Sequence, residues 1–96
     1  MDGVLLDELN GWLRIPSVST DGGDAAAIGR AAEWALERVL AAGGQCELVH
    51  GPGANPLVVG ELRAADPAAP TVLIYGHYDV QAPGPPLSRQ LPSYIT

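Results

Sequence analysis

The chain has 96 residues, room for one small domain that buries only roughly 60–65% of its unfolded surface. Hydrophobic residues make up 47% and charged residues 17%, a globular balance rather than a disordered one. The net charge of −6, with five Arg and no Lys, speaks against a nucleic-acid or anionic-membrane surface, since both need basic patches.

Residues 3 to 14 carry the first helical pattern. Leu5, Leu9, Trp12 and Leu13 share one face, with Asp7, Asn10 and Arg14 elsewhere. Pro16 pushes Ile15 out of the helical region and marks the stop. The start, MDGVLLDELNGWL, has neither the basic opening nor the unbroken apolar core of a signal peptide, and nothing reaches the roughly 20 apolar residues of a membrane span. A cytoplasmic location is the expectation.

SVSTDGGD reads as a polar loop. Asp24 then caps a longer helix to about Ala42, with the apolar stripe Ile28, Ala31, Ala32, Ala35 and Val39, and Gly43–Gly44 as a left-handed stop. Asp21 and Asp24 are cap acids before they are ligands. Trp34 and Arg38, one turn apart, read as a packing pair.

Three strand candidates follow: Gln45 to His50, Leu57 to Leu62 across a GPGANP turn, and Thr71 to Tyr75 after RAADPAAP. Val72 to Tyr75 are apolar at every position, the pattern of a central strand covered on both faces, flanked by the other two. The expected fold class is therefore α/β, two helices followed by about three strands. Cys46 is the only cysteine, which rules out an intrachain disulfide or a thiolate zinc cluster and reads as a core residue. From Val80 to Thr96 the chain has four prolines, no acidic residue, no His and no Cys. The segment Ala82 to Thr96 is expected to pack loosely or be disordered, and to be the first part that proteases clip.

His77 and Asp79 lie one Gly past the Val72–Tyr75 run. In open α/β sheets, ligands bind beyond the carboxyl ends of strands. A metal-ligating His commonly gives its other ring N–H to a carboxylate, which fixes its tautomer, and H-x-D suits that arrangement. On spacing alone, most such pairs are surface polar residues or local turn hydrogen bonds. His50 has no acidic residue within two positions and reads as an ordinary imidazole, and Tyr75 and Tyr78 as packing residues. No Walker loop, no G-x-G-x-x-G and no G-x-S-x-G is present, and Ser17 and Ser19 have no adjacent base.

Taken whole, "VLIYGHYDVQ" (Val72 to Gln81) closely resembles the first metal-site motif of the M20 family of metallopeptidases, especially its dipeptidase branch. "RIPSVST" (Arg14 to Thr20), "AAEWALERVLAAG" (Ala31 to Gly43) and "NPLVVGEL" (Asn55 to Leu62) resemble that family in the same order. The likeness divides the chain into 1–81, the N-terminal part of a zinc-peptidase-like catalytic domain, and 82–96, a tail unlike the family. It implies two zinc ions bridged by an Asp and a hydroxide, with His77 as a zinc ligand and Asp79 as the catalytic carboxylate that orients it. Zinc would lower the pKa of bound water and polarise the scissile carbonyl.

The implied reaction is hydrolysis of peptide or N-acyl amino acid amide bonds, with small substrates of that kind as partners and homodimers only in full-length relatives. In the family, the bridging Asp, the Glu base and the other ligands follow this motif. No acidic residue or His follows Asp79 here. The expectation is a truncated, frame-shifted or otherwise partial chain, inactive alone. The alternative is a non-catalytic α/β module with a vestigial weak metal site.

Overall fold

The computed structural model describes residues 2–20 and 23–82. Two helices precede a two-stranded antiparallel sheet: α1 (Gly3–Leu13), α2 (Ala25–Ala41), β1 (Gln45–Val49) and β2 (Leu57–Glu61). The expected α/β class holds, with both helices and the first two strands within one or two residues of their expected bounds.

Side-chain caps start both helices. Asp2 accepts from the Leu5 N–H at 2.9 Å, and Asp24 accepts from the Ala27 N–H at 3.0 Å. Each satisfies a donor that the first helical turn leaves without an intrahelical partner. Gly43, at φ 92°, provides the expected left-handed residue after α2.

Small side chains dominate the core. Ala27, Ile28, Ala31 and Ala32 of α2 are buried, and α2 packs against both strands. The strand register pairs Cys46 with Gly60 and Leu48 with Val58, and Cys46, Leu48 and Val58 are the half-buried positions of alternating strands. Their face is turned to α2, where Val39 lies against Gly60. Val49, Leu57 and Val59 lie on the opposite face and remain exposed.

α1 is attached more lightly, and none of its residues is fully buried. Its main anchor is Trp12, whose ring stacks on Trp34 with centroids 4.9 Å apart and planes 7° from parallel. The Trp12 Nε1–H donates to the Ala31 carbonyl at 3.3 Å. Arg38 lies over the Trp34 ring at 5.6 Å and pairs with Glu8 at 3.0 Å. Trp34 and Arg38 are thus the packing pair that their spacing predicts, and they hold α1 as well.

The third strand is corrected. Thr71 to Tyr75 forms no strand, and Val72, Leu73, Ile74 and Tyr75 are 77–90% exposed. Tyr75 is therefore not a packing residue. A strand apolar on both faces needs cover on both, plus a neighbour's backbone to pair with. Here β1 and β2 pair with each other, and one helix covers one face of the sheet. Of the tail segment expected to pack loosely, Ala82 to Thr96, all but Ala82 lies outside the described residues.

Candidate functional site

The site is the junction of two loops from opposite ends of the chain. Residues 15–20 leave α1 in tight turns, with the Ser17 N–H donating to the Ile15 carbonyl at 2.7 Å and the Val18 N–H to Pro16 at 2.8 Å. These turns present Ser17, Val18 and Ser19 to Tyr78, Asp79 and Val80. Val18 and Val80 form a parallel bridge, and the Val80 N–H donates to the Ser17 carbonyl at 3.1 Å.

Ser17 is 1% exposed, the one fully buried polar side chain among the described residues, and its Oγ donates to the Tyr78 carbonyl at 3.2 Å. On the far side, the Tyr78 hydroxyl donates to the Pro56 carbonyl at 2.6 Å, tying the segment to the turn before β2. Burial and then the nearby Asp79 charge raise the Tyr78 pKa, which keeps that hydroxyl a donor. Tyr78 is the packing residue it was expected to be.

His77 and Asp79 project from this clamped segment and meet directly. The His77 Nδ1 lies 2.9 Å from Asp79 Oδ1 and 3.2 Å from the Asp79 carbonyl oxygen. Both neighbours are acceptors, so in the neutral ring Nδ1 is the donor and Nε2 keeps its lone pair. The imidazole is exposed, which leaves that lone pair accessible. Asp79 Oδ2 accepts from the Ser19 hydroxyl at 2.5 Å. The Ser19 bond first, and the His77 ring second, hold the Asp79 carboxyl below the usual carboxylate range. An open cleft of about 290 Å³ adjoins the pair, with Ser19, Ile28, Asn55 and Tyr75 among its other lining residues.

The structure therefore brings His77 and Asp79 together in the expected orientation. His50 does not join them; it follows β1, is exposed and does not line the cleft. Asp24 serves as a helix cap, and Asp21 lies outside the described residues. Ser17 and Ser19, set aside in the sequence for want of an adjacent base, are integral to the site.

Among the described residues, no group of three or more His, Cys, Asp or Glu side chains converges on one point. A catalytic zinc takes about three protein ligands plus water. His77 with Asp79 is fewer groups than that number. None of the described helices is long and apolar enough to cross a membrane. Compared with family models, characterised proteins and solved structures, the chain matches none.

Proposed function

We propose that this chain carries the first metal-motif portion of an M20-type zinc metallopeptidase domain, and that it holds zinc weakly and does not turn over substrate by itself. The observation that carries this reading is the His77–Asp79 contact at 2.9 Å, with Nδ1 engaged and Nε2 exposed beside a cleft. A carboxylate that fixes the tautomer and raises the basicity of a ligating His is a recurrent device of zinc sites. The likeness of Val72 to Gln81 to the family motif gives the device its context.

Zinc, when bound at a completed site, would supply an activated water and a polarised carbonyl. His77 would offer Nε2 to it, and Asp79 would hold the ring. Complete domains of this kind would act on small peptides or N-acyl amino acids, in the cytoplasm. A second reading, a non-catalytic α/β module with a vestigial metal site, is favoured by the lack of a third ligand among the described residues.

Zinc titration combined with a dipeptide hydrolysis assay on the purified 96-residue protein tests both. Weak zinc binding that His77→Ala abolishes, without turnover, is the expected result. Tight binding of two zinc ions, or zinc-dependent hydrolysis that His77→Ala loses, would overturn the claim of inactivity. Zinc binding indifferent to His77→Ala would remove the metal reading altogether.

A further inference from the structure

We infer that Ser19 is a positioning residue for His77, acting through Asp79; the inference rests on the reading of His77 and Asp79 given above. Asp79 has two carboxylate oxygens, and each has its own partner. Oδ1 faces the His77 Nδ1 at 2.9 Å, and Oδ2 accepts the Ser19 hydroxyl at 2.5 Å. With both oxygens engaged, the carboxylate plane is fixed by a ring 2 residues away in sequence and a hydroxyl 60 residues away. Without Ser19, Asp79 can rotate about its side-chain torsions and take its acceptor away from the ring. An exposed imidazole that loses that acceptor keeps only the longer contact to the Asp79 carbonyl oxygen at 3.2 Å, and can more readily move its proton to Nε2 and close the lone pair a ligand would need.

Ser19 and Ser17 divide the work. Ser17 is buried and its hydroxyl and carbonyl bond to the backbone of Tyr78 and Val80, so it fixes where the segment runs. Ser19 is exposed and bonds a side chain, so it fixes which way Asp79 faces. The same bond commits Asp79 Oδ2 to a hydroxyl donor. That arrangement suits an orienting carboxylate rather than one that binds metal through both oxygens. Because Ser19 is exposed, removing its hydroxyl leaves the packing of α2 on the hairpin untouched.

The tautomer of His77 is the quantity to measure, since a residue with a purely structural role would not move it. Long-range proton–nitrogen NMR on the intact chain, at a pH where the ring is neutral, separates the Nδ1–H from the Nε2–H form. Wild type is expected to be mainly Nδ1–H. Ser19→Ala should shift the tautomer ratio toward Nε2–H by about two- to tenfold, the equilibrium worth of one hydrogen bond. Ser19→Thr, which keeps a hydroxyl, should restore the wild-type ratio.

Ser19→Ala without effect, where Asp79→Asn does shift the tautomer, would overturn the role of Ser19 and leave that of Asp79 standing. A wild-type ring that is mainly Nε2–H, or one unmoved by Asp79→Asn, would overturn both this inference and the orienting role beneath it. The wild-type spectrum alone can overturn the inference, whatever the variants do to folding.

Discussion

β2 and the segment Thr71 to Tyr75 make an instructive pair. Both are five-residue segments rich in β-branched or long aliphatic side chains, and Thr71–Tyr75 is the more strand-like by composition. Yet Leu57–Glu61 is a strand and Thr71–Tyr75 is not. The difference lies in what stands beside each. β2 follows β1 across a short turn, so a complementary backbone is already in place, and α2 covers the face that carries Val58. Thr71–Tyr75 comes after that hairpin has satisfied itself, and its side chains stay in solvent. Strand tendency is local, but a strand exists only where a neighbour's backbone meets it.

The sharpest way to break this comparison is to shorten one aliphatic side chain in each setting. Ile28, 3% exposed in the α2 core, should lose about 2–5 kcal/mol of stability as Ile28→Ala, through lost burial and the cavity left behind. Ile74, 87% exposed, should change stability by no more than about 0.5 kcal/mol as Ile74→Ala. Chemical denaturation followed by circular dichroism measures both. Comparable losses at the two positions would mean that Thr71–Tyr75 is packed after all.

A smaller effect is expected where α2 meets the strands most closely. A Cβ on Gly44 would stand 2.6 Å from the Glu61 carbonyl oxygen and 2.9 Å from a Val39 methyl. Gly44→Ala should therefore force the end of the hairpin away from α2 and cost about 1–3 kcal/mol. Gly76, with nothing within 4 Å of its Cβ position, is the matched control in the uncovered region. Thermal melts of the two variants should separate, and a Gly76→Ala melt as low as that of Gly44→Ala would contradict the contrast.

The smallest effect concerns how the uncovered region is moored at its far end. The Asp79 carboxyl has a lowered pKa in the folded chain, chiefly from Ser19 and then from His77. Between that lowered value and the unfolded value of about 3.9, the unfolded chain binds more protons, so stability rises with pH. The contribution is fully present above the ordinary carboxylate range and is lost as pH falls through the folded pKa. In Asp79→Asn, the acid limb of a stability–pH curve between pH 2 and 5 should be flatter than in wild type. An unchanged limb would show that the Ser19–Asp79–His77 contacts contribute nothing to folding in solution.

Much of the fold was legible because its signals are local. Asp24 as a cap, the Ile28–Ala31–Ala32 stripe, the Gly43 stop and the GPGANP turn each act within a few residues, and each is where the sequence placed it. Val72–Tyr75 misled because an apolar run states a demand for cover and cannot say whether the chain meets it. The site divides the same way. His77 and Asp79 are two residues apart and could be paired by eye. Ser17 and Ser19 are some 60 residues from their partners, and no periodicity connects them. Ala27, one turn before Ala31 on the same face of α2, is buried although its N–H also takes part in the cap.

The mooring between Ser17–Ser19 and Tyr78–Val80 also sets an order of events. It closes a loop of about sixty residues, and α2 with its hairpin lies wholly inside that loop. Bringing the ends together grows harder with free length, by about 0.6 kcal/mol per doubling, so prior folding of the interior makes the closure easier. The helix and hairpin, joined by short connections, are expected to form first and the two loops to meet last. The Ser17–Tyr78 bond is part-buried and the Ser19–Asp79 bond is exposed, so the junction is expected to release from the Ser19 side first, in openings that leave the interior intact. An opening of that kind would free the His77 ring while the rest of the chain stays folded. The fraction of time spent closed sets how strongly that ring can hold anything offered to it.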